Sequence, residues 1–240
     1  MELSASKNET TGRWTLEGVE PSEKTFDRIC QMLRDKVNFK FARYGDGEFL
    51  CMSGKIGRNC DKHEYFPDLG LALNDAFYSD PQYMVGIQPL SVQGGLYQRA
   101  VEFNAGPKNI YDADVLHSAS IDGKINQFIS VLKMRDVVIV GPAHLLKIGF
   151  RLIKINDTNC WDDYEDVCEL ISYKLKISDN PVFLLCASMM SEVIINCFSN
   201  SKCTMIDCGS VFDPYAGKLS RSYHHKLNLN ERSISDHTRR

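Results

Sequence analysis

The sequence predicts an α/β protein built on a mostly parallel, doubly wound sheet with helices on both faces. Three observations carry that expectation. Apolar runs of strand length recur at 39–44, 83–87, 136–140, 182–186 and 202–208. The segments between them place apolar residues at helical spacing, as in Phe26, Ile29, Cys30 and Leu33, or Ile121, Ile125, Phe128, Ile129 and Leu132. The strand runs, VVIV at 137–140 above all, are apolar on both sides, as strands are when helices cover both faces. Strands alternating with helices join in parallel through right-handed crossovers.

In chain order, residues 1–20 are polar and without period, and read as a loosely held arm. Pro21-Ser22 opens the first helix, with Ser22 placed to cap it. A strand at 39–44 runs into Gly45-Asp46-Gly47-Glu48, a turn, after which Phe49, Leu50 and Met52 suggest a short helix ending near Gly54. Residues 55–67 are irregular, with Gly57, Arg58, Asn59, His63 and Glu64, and read as a flap over a site. A helix at 69–77, a strand at 83–87 and a helix at 94–103 follow. After a looser region with Asp112, Asp114 and His117, residues 121–134 form a helix and 136–140 a strand closed by Gly141-Pro142. The remainder reads as a strand at 152–155, a helix at 161–175, a strand at 182–186, a helix at 189–198, a strand at 202–208 and a turn-rich segment at 209–217. The domain expectation is an arm over 1–20, one catalytic domain over 21–228 and a polar tail over 229–240.

Composition narrows the function classes. A chain of 240 residues, 43% hydrophobic and 25% charged, is long enough for one well-buried core and short for two. The net charge of −3 and pI near 6.1 do not favour a nucleic-acid partner. No stretch reaches the roughly 18 apolar residues that span a bilayer, and the start lacks a basic segment followed by an apolar core. Nine cysteines are scattered without a CxxC pair or zinc-type spacing, which fits reduced thiols and a cytoplasmic protein.

The candidate chemistry centres on Asp46 and Glu48. Strand, glycine, acid, glycine, acid concentrates two like charges where a strand ends, and a divalent cation would relieve their repulsion; the competing reading is solvated charge. Arg43 either forms an ion pair or reaches a phosphate with its planar fork of donors. Gly141-Pro142 ends a buried strand in a turn whose N–H groups would face a phosphate or ribose, although no GxGxxG accompanies it. His144 beside it is more often a packed histidine than a catalyst. Asp213-Pro214-Tyr215 places an acid, a rigid turn and a ring at the exit of the last strand, where the ring can stack on a base and the acid can meet sugar hydroxyls. Arg221, Tyr223, His224 and His225 follow, and adjacent histidines rarely ligate one ion together.

ARYGDGEF at 42–49, VVIVGPA at 137–143, and IDCGSVFDPYAG at 206–217 with RSYH after it resemble the GT-D type glycosyltransferases, over roughly residues 25–225. The resemblance implies a Rossmann-like fold and a nucleotide-sugar-dependent enzyme whose Asp-x-Glu, here Asp46 and Glu48, carries the metal and the diphosphate. The expectation is a metal-dependent transferase, using Mn2+ or Mg2+, that moves a hexose from a nucleoside diphosphate sugar, a UDP-sugar in particular, to an acceptor hydroxyl on a glycan or another molecule. Arg43, Gly45, Gly141, Pro142, Tyr215 and Arg221 would bind the nucleotide and its phosphates. Asp213 would recognise the sugar or activate the acceptor, with Asp75 a second choice for activation. Two other classes stand beside it: a methyltransferase using S-adenosylmethionine on the same kind of sheet, and a non-catalytic nucleotide-binding module.

Overall fold

Seven strands lie side by side in one all-parallel sheet in the computed structural model, which describes residues 3–227. In chain order the elements are a hairpin of β1 (Ala5–Lys7) and β2 (Trp14–Leu16), then α1 (Ser22–Arg34), β3 (Lys40–Tyr44), α2 (Asp46–Met52), α3 (Pro67–Tyr78) and β4 (Met84–Ile87). They continue with α4 (Pro89–Gln93), α5 (Leu96–Ala100), β5 (Ile110–Asp112), α6 (Val115–Ile121), α7 (Ile125–Leu132), β6 (Val137–Pro142) and β7 (Arg151–Ile155). The last are α8 (Tyr164–Ile177), β8 (Val182–Leu185), α9 (Met190–Cys197) and β9 (Thr204–Asp207). Spatial order in the sheet is β5-β4-β3-β9-β8-β6-β7, with every neighbouring pair parallel. The doubly wound α/β class expected from the sequence is what the chain adopts.

The two-residue period of the strands divides the core into two layers. Along β8, Phe183 and Leu185 join one layer with Tyr44, Phe49, Phe77 and Ile194, whereas Val182 and Leu184 join the other with Phe26, Phe41, Phe128 and Phe212. β6 divides the same way, Val138 and Val140 against Val137 and Ile139. This two-sided burial is why the strand runs are apolar throughout.

Four local expectations change. The supposed arm is the β1–β2 hairpin, pinned by Leu3 and Leu16, which are buried in the first core layer; its turn is closed by Asn8 Oδ1, which accepts from the N–H groups of Thr10 and Thr11. The helix expected at 94–103 is the shorter α5, which starts after Gly95 at φ +72°, and a further short helix, α4, precedes it. The helix expected at 121–134 begins earlier, as α6, and restarts as α7 after Gly123 at φ +79°. The looser region contains β5, a three-residue edge strand. The tail expected at 229–240 lies outside the described residues. Among the described residues no helix is long and apolar enough to cross a membrane.

Winding direction sets where a ligand can sit. The chain leaves β3 and β8 through α2 and α9 onto the face of the first core layer, where Phe49 and Ile194 are buried. It leaves β6 and β9 onto the opposite face, where Leu145, Val211 and Phe212 are buried. The segments that follow neighbouring strands therefore part, and a crevice opens beyond the carboxyl ends of β3, β9, β8 and β6.

At the end of β5, Asp112 is 2% exposed, and its Oδ1 accepts from the Asp114 N–H at 2.8 Å. Burial, with the Asp114 charge adding to it, pushes this carboxyl from an ordinary 3.8 up to about 7. The fold thus favours the protonated form. Its contribution is fully present below about pH 4 and is lost as pH rises through about 7, an effect on the order of 1 to 4 kcal/mol. Urea unfolding of wild type and Asp112→Asn at pH 4, 5.5 and 8 is expected to show the wild type losing stability relative to the variant as pH rises; parallel curves would refute the assignment.

Candidate functional site

A cavity of about 540 Å3 occupies this crevice. Residues from the ends of β3, β6 and β9, from the segments after these strands and after β8, and from segment 59–63 are among those that line it.

Gly45 is extended at φ −118° and ψ −161°, and α2 starts at once with Asp46. The Asp-x-Glu pair therefore sits in the first helical turn and not on a loop as expected, because Glu48 turns back so that its Oε2 accepts from the Gly45 N–H at 2.7 Å. Residues two apart on a helix do not face each other. Asp46 is exposed on the cavity with no ion pair or hydrogen bond to a described side chain, while Glu48 is half-buried beneath it. Burial, with Asp207 adding to it, pushes the Glu48 carboxyl up to about 7, against the pull of the backbone bonds and Arg43. Among the described residues no three His, Cys, Asp or Glu side chains cluster around a ready-made ion site. The donor set nevertheless suits Mg2+ or Mn2+ carried in with a diphosphate: such hard cations commonly take one or two carboxylates and complete their shell with substrate phosphate oxygens and water.

Arg43 closes the floor. Its Nε donates to Ala113 O at 2.7 Å and its Nη1 lies 3.7 Å from Asp207 Oδ2, so its carboxylate partner is on β9 and is neither Asp46 nor Glu48. Burial works against its charge, but Asp207 and Asp114 more than offset that and hold its pKa up. The close approach requires Gly209, which has φ +50° and where a Cβ would stand 2.4 Å from Arg43 Nη1.

The Gly141-Pro142 reading changes. Both residues continue β6, paired with Lys154 and Ile155 of β7, so no turn presents N–H groups there. Gly141 is buried off the cavity, and a Cβ would meet Leu145 Cδ1 at 2.7 Å and Cys186 Cβ at 3.1 Å; its smallness serves packing. Pro142 does line the cavity. Tyr215 also departs from expectation. Its ring packs against the second core layer and its hydroxyl pairs with Ser120 Oγ at 3.0 Å, away from the cavity wall. Tyr215→Phe is therefore expected to cost about 1 kcal/mol of stability and to leave nucleotide affinity unchanged, which calorimetric titration with UDP would check. Asp75 is exposed on α3, outside the cavity.

Asp213, Gly45 and Arg221 all line the cavity. Asp213 accepts from His144 Nε2 at 2.8 Å and from Ser220 Oγ. Arg221 forms a two-pronged ion pair with Asp61, joining the segment after β9 to the segment after α2. His224 is 1% exposed, and its Nδ1 accepts from the N–H groups of Ser220 and Arg221; burial pushes its pKa down to about 4, which suits a neutral structural imidazole.

Segment 55–67, read from the sequence as a flap over a site, does line the cavity, and Asp61 and Gln88 are lining residues that the sequence reading did not single out. The 55–67 segment folds back through an Arg58–Glu64 bridge and presents Asn59, Asp61 and His63, with Asn59 Nδ2 donating to Ser188 Oγ at 2.8 Å. Gln88 follows β4, and His117 lies on α6 with its Nδ1 against Asp114 Oδ1 at 3.3 Å. Asp207 carried a usable signal: an acid closing the apolar run Thr204–Asp207 at the carboxyl end of its strand.

No protein-family model and no curated protein matches this sequence. Solved structures do match in shape. Two are of domain of unknown function 1792, one a selenomethionine-substituted form and one described as having a distinct glycosyltransferase fold; each has a TM-score of 0.59 at 15% identity, covering 79% of this chain and 78% of its own. A third, described as a new glycosyltransferase (DUF1792) from Streptococcus sanguinis, has a TM-score of 0.57 at 15% identity, covering 79% of this chain and 81% of that one. The Rossmann-like α/β architecture is thus shared with proteins described as glycosyltransferases.

Proposed function

We propose that this protein is a glycosyltransferase that moves a hexose from a nucleoside diphosphate sugar, a UDP-sugar in particular, to the hydroxyl of a glycan or other acceptor, with Mn2+ or Mg2+ held by Asp46 and Glu48. The observation that carries this reading is the position of Asp46 and Glu48 at the carboxyl end of central strand β3, within a cavity that also presents Arg43, Lys62, Lys218 and Arg221. Cations spread along a cavity with an open carboxylate at one end complement a diphosphate that arrives with a metal ion. The likeness in fold to proteins described as glycosyltransferases supports the same reading.

In this scheme the bound cation supplies neutralisation of the charge that develops on the diphosphate leaving group. Arg43, fixed at Ala113 and Asp207, offers its remaining donors to phosphate oxygens without reorganising during the reaction. The Arg221–Asp61 pair joins two walls of the cavity and thereby limits water around the reacting bond.

A thermal-shift panel tests donor class. UDP with Mn2+ is expected to stabilise the protein, by about 2.7 kcal/mol at a hundredfold excess over Kd, and S-adenosylhomocysteine is expected to do nothing. Stabilisation by S-adenosylhomocysteine without metal, and none by UDP, would replace this reading with a methyltransferase.

A further inference from the structure

We infer that His144 is the general base that accepts the acceptor hydroxyl proton, with Asp213 as the positioning residue that holds its imidazole; this rests on the glycosyltransferase reading above. The sequence alone put Asp213 forward for the proton and set His144 aside. The geometry reverses the two.

Asp213 has no free oxygen for the task. Its Oδ1 accepts from His144 Nε2 at 2.8 Å, its Oδ2 accepts from Ser220 Oγ, and the residue is 8% exposed. A carboxylate only accepts, so the proton of the neutral ring stands on Nε2 and the lone pair on Nδ1. No described residue hydrogen-bonds Nδ1, and His144 lines the cavity. Carboxylate, imidazole and an open ring nitrogen form the arrangement in which a base is oriented by a third group and its protonated form is stabilised by the charge behind it. The carboxylate is itself braced, since Ser220 N donates to buried His224 Nδ1 at 3.1 Å.

Placement agrees. His144 follows β6 and Asp46 follows β3, with β9 and β8 between. Three strand spacings make roughly 14 Å, a span that a cation, a diphosphate, an anomeric carbon and an attacking oxygen together fill. Diphosphate chemistry belongs to the β3 end and acceptor chemistry to the β6 end. In the step, the acceptor O–H bond breaks, its proton passes to His144 Nδ1, and its electron pair forms the new bond to the anomeric carbon. The bond from that carbon to the diphosphate oxygen breaks and its pair leaves with the nucleoside diphosphate; the imidazolium, balanced by Asp213, then returns its proton to water. Attack from the side opposite the leaving group inverts the anomeric configuration.

The test uses the full chain with Mn2+ and the donor found by a nucleotide-sugar panel. His144→Ala is expected to lower kcat by about 10²- to 10⁴-fold with donor KM unchanged, and added free imidazole is expected to restore part of the loss. Asp213→Asn is expected to lower kcat, again with KM unchanged, and Asp213→Glu to recover part of it. NMR of the product is expected to show inversion. UDP titration and thermal melts of each variant separate these effects from misfolding. Wild-type transfer with His144→Ala at full rate, a His144→Ala loss that imidazole does not relieve, or retained configuration would overturn the base assignment and leave the transferase reading standing. A wild type that consumes no donor would overturn both.

Discussion

Asp46→Ala is expected to abolish transfer while the protein stays folded. Asp46 is exposed at the first position of α2, and no described side chain bonds to it, so its folded-state role is limited to a favourable charge at a helix start, worth about 0.3 to 1 kcal/mol. Its proposed role toward the cation and diphosphate is far larger: losing one preorganised charge-stabilising group commonly costs 10²- to 10³-fold, about 2.7 to 4 kcal/mol of transition-state stabilisation. Urea melts and initial rates on the same preparation separate the two, and normal turnover by the folded variant would remove Asp46 from the mechanism. Glu48→Ala is a less clean probe, because it also removes the acceptor for the Gly45 N–H and should cost about 1 kcal/mol of stability; Glu48→Gln keeps that bond.

Gly209→Ala is expected to damage stability and binding together. A side chain at φ +50° costs about 1 to 2 kcal/mol by itself, and the new Cβ would stand 2.4 Å from Arg43 Nη1. The guanidinium cannot simply swing aside, since its Nε is tied to Ala113 O and its Nη1 faces Asp207. A melting temperature lower by about 4 to 10 °C is expected, with weaker UDP affinity as Arg43 is displaced. In an Arg43→Ala background the steric part should vanish and leave only the backbone cost. Additive losses in the double variant would show that Gly209 and Arg43 do not meet in this way.

Much of the architecture was legible because buried parallel strands carry so strong a pattern. Runs such as Val137–Pro142 and Val182–Leu185 are buried on both sides and can be little else when helices alternate with them. β5 was not legible: three residues at a sheet edge do not establish a period, and Tyr111 and Asp112 look like loop. The β1–β2 hairpin was hidden for a similar reason, since Leu3 and Leu16 are the only described residues of this polar stretch that are buried. Helical periodicity over 121–134 gave no sign of the break at Gly123, because apolar spacing alone does not reveal where backbone geometry interrupts a helix.

At the site, Asp46, Glu48, Arg43, Asp213 and Arg221 stand at a strand end or in the segments that follow one, and all line the cavity. Gly141 and Tyr215 misled because a small residue and a ring near a strand end suit packing as well as ligand contact, and here they pack. Asp61, Gln88 and His117 come from separate segments that only the fold brings together, so no local pattern announces that they share one cavity, although 55–67 as a whole read as a flap. The His144–Asp213 contact joins residues 69 apart and belongs to the same class.

The most direct measurement is release of nucleoside diphosphate from a panel of nucleotide sugars by the purified protein, with acceptor glycans and Mn2+ present and then with excess chelator. The account predicts that at least one donor, a UDP-hexose foremost, is consumed with transfer to the acceptor, and that chelator stops the reaction. Tight UDP binding with no donor consumed would make the protein a nucleotide-binding module, and transfer undiminished in excess chelator would contradict the metal assigned to Asp46 and Glu48.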